Sequence, residues 1–203
     1  MFPSPRPKPR FNFDSSVIFL ILSNLITIII AITQKWDFGV ILWIYWFQSI
    51  TIEFFHFLRI LNLKNFTTQN VRVNNIPLKA TNSAKIFVAF FFLFHYGIFH
   101  FAYMIFLFFK GGSLVANLGY ITGITAMFFA NHLYSFLKNF KQDTEKKQNI
   151  GKVMFFPYAR IIPMHFTILF GFLFFASQIG LIFFLLLKTI ADVIMHNKEH
   201  SLT

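Results

Sequence analysis

Apolar residues run in blocks of roughly 20 to 26 along this chain, parted by short polar connections. As helices, such blocks cover a hydrocarbon core of about 30 Å at about 1.5 Å per residue. The pattern predicts an all-α, polytopic integral membrane protein with six transmembrane helices, over roughly 15–34, 38–61, 84–109, 114–137, 157–176 and 179–198. Residues 1–14 form a basic, Pro-rich tail, 15–198 the transmembrane domain and 199–203 a short second tail. The connections are too short for a soluble domain, and no internal repeat suggests an inverted-repeat transporter. Val71–Leu78 reads as a small hairpin, since Asn74-Asn75 tolerates left-handed geometry. Gly151–Phe156 reads as an interfacial stretch leading, through Pro157, into the fifth span, which Pro163 should kink.

Charge alternates between the connections. The N-terminal tail holds Arg6, Lys8 and Arg10, the second connection Lys64, Arg72 and Lys79, and the fourth Lys138, Lys141, Lys146, Lys147 and Lys152 against Asp143 and Glu145. The intervening turns carry Lys35 with Asp37, then Lys110, then no charge. By the positive-inside rule both termini are cytoplasmic. That sidedness also absorbs the net charge of +11 without a nucleic-acid partner. The start MFPSPRPKPR lacks the h-region of a signal peptide, so the first block should stay as an anchor. With no cysteine, disulfides, thiolate ligands and Cys nucleophiles are excluded.

Candidate chemistry lies in ionisable residues inside the apolar blocks. Lys188, Asp192, His196 and His200 follow one another at i, i+4, i+8 and i+12, which stacks them on one helical face. A charge in hydrocarbon costs a few kcal/mol or more, so each needs a partner or a task. Counted from the cytoplasmic ends, His56, His132, Asp192, Glu53 and His165 lie about 8–12 Å deep, with Lys188 and His95 near about 15 Å. His95 and His100 differ by five residues, about 140° of helix, and cannot easily serve one centre. His95 is assigned to the inner site and His100 to a separate role. Glu53 and His56 share a face, while the first span offers only Ser and Asn at this level and reads as structural. Gly119 and Gly123, extended by Ala126 and Ala130, point to close helix approach, within the chain or between copies. Trp46 lies too deep for an interface anchor.

Tyr45-Trp46-Phe47-Gln48, His95-Tyr96-Gly97 with Phe99-His100, Asn131-His132 with Ser135-Phe136 and Asn139, Pro157–Ile161 with His165–Thr167, and Leu187–Thr189 with Asp192, His196 and Glu199-His200 form a set. Through that set the chain resembles a family of uncharacterised prokaryotic membrane proteins, domain of unknown function 6498, over most of its length. Members usually carry a glutamate near the place of Gln48. The resemblance implies a polytopic architecture and these polar positions, and no activity.

Three functional readings stay open. In the first, Asp192, His165 and His196, with His95 or His132, bind Zn, Fe or Cu, and Lys188 or Glu53 is the catalytic acid or base. A b-type haem held by two histidines, with Arg160 at a propionate, is a variant of it. Neither His-Glu-x-x-His nor Gly-x-Ser-Gly occurs, which sets aside the zinc-protease helix and a rhomboid-type serine protease. The second is a subunit or scaffold of a larger membrane complex, whose partners are lipids, other membrane proteins or further copies of itself. The third is a proton-coupled carrier. Lys188 and Asp192 could equally be a structural ion pair.

Overall fold

The computed structural model describes residues 15–36, 38–110, 114–159 and 178–201, and these are mostly helical. The helices are α1 (Ser15–Thr33), α2 (Phe38–Asn62), α3 (Asn82–Lys110), α4 (Leu118–Glu145), α5 (Ile150–Phe155) and α6 (Gln178–Ser201). Hydroxyls inside these apolar helices satisfy themselves. Ser23, Thr27, Thr51, Thr122, Thr144 and Thr189 each donate to the carbonyl one turn back, so none needs water.

Helix α2 lies at the centre, packed on α3 and α4, while α1 packs on α4 and α6. The first two turns of α2, Phe38–Tyr45, are buried throughout. They join Phe92, Tyr96 and Phe128 in the core. α1 ends in a Schellman turn: Trp36 N–H bonds to Ala31 O and Lys35 N–H to Ile32 O, with Lys35 left-handed at φ 48°.

Polarity is distributed inside out. On α1, Ser23, Asn24 and Thr27 are buried whereas Ile18, Leu22, Leu25 and Ile29 are exposed. On α3, Phe94 is 73% and Phe109 81% exposed, while His100 is buried. Water would drive the opposite sorting; a surrounding of hydrocarbon would not.

Among the described residues, α2 and the Asn82–Phe109 part of α3 are long and apolar enough to cross a membrane. The six-span expectation therefore holds for those two by length and composition and goes further than the described helices do elsewhere. The apolar run of α1, Val17–Thr33, is shorter. In α4, Asn131, His132 and the charged stretch from Lys138 to Glu145 dilute the apolar character. The fifth predicted span, with Pro163, lies almost wholly outside the described residues.

At one end the second and fourth connections are stitched together. β1 (Phe66–Thr67) pairs in parallel with β4 (Gln148–Asn149), Phe66 against Gln148 and Thr67 against Asn149. Lys64 N–H bonds to Thr144 O, Asn65 Nδ2 to Glu145 O, and Asn149 Nδ2 to Gln69 O. β2 (Arg72–Val73) and β3 (Ile76–Pro77) form the expected hairpin, with Asn74 and Asn75 at φ 49° and 65°. Two consecutive left-handed residues are what a type I′ turn requires, and asparagine adopts that region more readily than most. At the opposite end Tyr120 donates to Gln34 Oε1 at 2.9 Å and packs on Trp36. At the Gly119–Gly123 stripe, nothing among the described residues comes within 4 Å of a Cβ placed at either glycine, so the close approach expected there is not made by them.

Packing is close at Gly151, where an added Cβ would lie 2.7 Å from Val71 Cγ2 and 3.2 Å from Asn149 Oδ1. Valine is stiff at χ1 and cannot swing aside cheaply. Gly151→Ala is expected to cost about 1–3 kcal/mol locally and to unseat the hairpin from α5. Hydrogen exchange at the amides of Val71 and Leu78 should speed up, while that of the α2 core should not.

Candidate functional site

Lys188 is the meeting point of the bundle. One turn along α6, Asp192 Oδ2 lies 2.5 Å from its ammonium. Gln48 Oε1 on α2 accepts from it at 2.7 Å and Asn24 Oδ1 on α1 at 3.2 Å. An ammonium has three N–H donors, and here three acceptors from three helices face them. The rings of Tyr45 and Phe128 stand 4.4 and 5.0 Å from the nitrogen, which adds cation–π attraction and brings in α4. The side chains of Lys188 and Asp192 are 16% and 19% exposed. Beside them is a void of about 10 Å³, lined by Leu20, Gln48, Ile52, Phe128, His132 and Asp192, room for one water. The buried Nε2 of Gln48 has no hydrogen-bond partner among the described residues.

A second polar cluster joins α2 and α3. Glu53 Oε2 lies 3.9 Å from His100 Nδ1, which also sits 3.1 Å from Tyr96 O. A carbonyl only accepts, so that contact places the proton on Nδ1. The imidazole stacks on Tyr96, with ring centroids 4.6 Å apart, and Trp46 Nε1 donates to His100 O at 2.8 Å. Trp46 thus has an internal partner. Glu53 lies against Gly97, where a Cβ would make an ordinary contact of 3.6 Å with its Oε1.

Of the two histidines of α3, His100 is the buried one, in this cluster apart from the Lys188 void, and His95 is not. The buried face of α3 runs through Val88, Phe92, Tyr96, His100, Tyr103 and Leu107. Steps of three and four keep that face together, and His95 falls about 100° from Tyr96. His95 is exposed and bonds through Nδ1 to Tyr158 OH at 2.6 Å. Glu53 and His56 are both buried, yet part company: His56 Nε2 contacts Val153 O at 2.6 Å, on α5.

Of the predicted metal ligands, Asp192 and His132 line the same void and His95 is not among its walls. His165 and Arg160 lie outside the described residues, as do the side chains of His196 and His200. Among the described residues no three His, Asp or Glu side chains are grouped so as to hold one ion. Sequence reasoning undervalued Asn24, which it treated as structural, and Gln48, Tyr45 and Phe128, which complete the Lys188 site. The signal for Asn24 was present, since Ser23, Asn24 and Thr27 form the only polar patch of α1's apolar run.

Breaking a buried pair from one side strands the other charge, at about 3–5 kcal/mol, whereas replacing both partners by apolar groups is often neutral. Lys188→Met alone is therefore expected to lower the unfolding temperature in detergent sharply. Lys188→Met with Asp192→Leu should recover most of that loss. Circular dichroism melts of the parent and of the single and double variants measure both.

Neither a curated protein nor a solved structure matches the chain. A family model described as a family of unknown function, DUF6498, matches residues 6–203, so the chain belongs to the DUF6498 family.

Proposed function

We propose that this chain is a multi-pass integral membrane protein, with six spans and both termini cytoplasmic, working as a non-enzymatic subunit or scaffold within the membrane. Its buried His/Asp/Lys layer then serves to lock helices, with 1–14 and 199–203 as cytoplasmic tails. The observation that carries the reading is the Lys188 ammonium, whose three acceptors come from α1, α2 and α6. A lysine so engaged, beside a void for a single water, offers neither a free base nor an open ligand position.

Membrane placement is supported by the outward apolar faces of α1 and α3. It is supported also by the joining of the two basic connections at one end, while residues 34–36 meet the start of α4 at the other. The chain has no cysteine, so single cysteines report cleanly. Lys146→Cys is expected to react with an impermeant maleimide only from the cytoplasmic side and Gln34→Cys only from the other. Labelling of both from one side would overturn the topology.

A metal centre is the second reading, favoured by the shared void of Asp192 and His132. Zn, Fe, Cu or haem would there draw on His165 and His196, with Glu53 or Lys188 as acid–base partners and Arg160 for a haem propionate. Elemental analysis and an absorption spectrum of the gently purified protein separate the two. The lock reading expects no stoichiometric metal or haem, and Asp192→Asn or His165→Ala altering stability alone. A bound metal lost on Asp192→Asn would put the metal reading first.

A further inference from the structure

Where α2 ends beneath α5 there is a cavity of about 220 Å³, lined by His56, Arg59, Lys147, Lys152, Val153 and Phe156, with Gln148 and Asn149 behind them. It is smaller than the pockets of about 300–1,000 Å³ that take drug-sized molecules, and suits a compact group. Its chemistry is one-sided. Three permanent cations converge on it, and the acid paired with them is Asp143, 3.4 Å from Arg59. Arg59 and His56 are only 5% and 3% exposed, so the floor is built from buried polar groups while Lys147 and Lys152 stand exposed at the rim.

The positive-inside rule accounts for basic loops but not for basic groups gathered round a concavity with a buried arginine at its base. Val153 and Phe156 add apolar wall, and Phe155 next to it is 62% exposed. Planar guanidinium with flanking ammonium groups is the donor set that recognises phosphate oxygens. We infer that this cavity binds a phosphate group, carried by an anionic lipid headgroup or free in solution. The lipid source rests on the membrane topology proposed above; the phosphate chemistry does not.

The full-length protein, in nanodiscs of phosphatidylcholine alone or with phosphatidylglycerol, or in detergent with inorganic phosphate, is followed by thermal unfolding and native mass spectrometry. Lys147→Gln/Lys152→Gln removes the rim. Lys79→Gln/Lys141→Gln removes the same charge from exposed positions at the same end, outside the cavity. A lipid site expects phosphatidylglycerol to be retained and to raise the melting temperature, with the rim pair weakening it roughly tenfold or more and the control pair by less than about twofold. Stabilisation by inorganic phosphate in detergent, lost in the rim pair, assigns the site to free phosphate. Equal losses in both pairs, or no response to either phosphate source from a folded parent, would overturn the assignment. Should cysteine labelling refute the topology, binding of inorganic phosphate would still stand as a separate result.

Discussion

An ammonium held away from water is the constraint around which this bundle is arranged. Its lost hydration must be replaced locally by other acceptors. Lys188 meets that demand with a carboxylate on its own helix and two amide oxygens from neighbours, under two aromatic faces. Each acceptor is effective at one separation only, so satisfying the charge also sets the spacing of α1, α2 and α6. Apolar contacts between helices in hydrocarbon are nearly indifferent to register; hydrogen bonds are not.

The same economy appears elsewhere in the fold. Self-bonded hydroxyls let α1 and α2 carry Ser and Thr inward without partners. Glu53 and His100 are placed together by the α2–α3 contact. At the basic end the stitching is done by backbone and amide groups. Lys64 pairs with Glu145, Lys85 donates to Leu63 O and Lys138 to Ser15 Oγ.

Much of this was legible in the sequence, for reasons that can be stated. Block lengths gave the helices, and Asn74-Asn75 gave the hairpin because few other dipeptides enter left-handed geometry so readily. The i, i+4 spacing of Lys188 and Asp192 put them on one face, and desolvation made their pairing a natural outcome. The five-residue spacing of His95 and His100 separated the two rings, but it could not say which of them faces inward. Rotation is set by the whole apolar stripe of α3, and that stripe passes through His100. Asn24 was overlooked because an amide carries no charge to draw attention, although it solvates one. The β1–β4 pairing was invisible, since two-residue strands carry no periodicity.

That pairing joins Phe66 to Gln148, far apart in the chain. During synthesis β1 emerges long before its partner, and its edge must wait until α3 and α4 have been made. The first three helices are therefore made with one connection unclosed. Closure of the cap becomes a late event, available to report that α4 has arrived with the correct orientation.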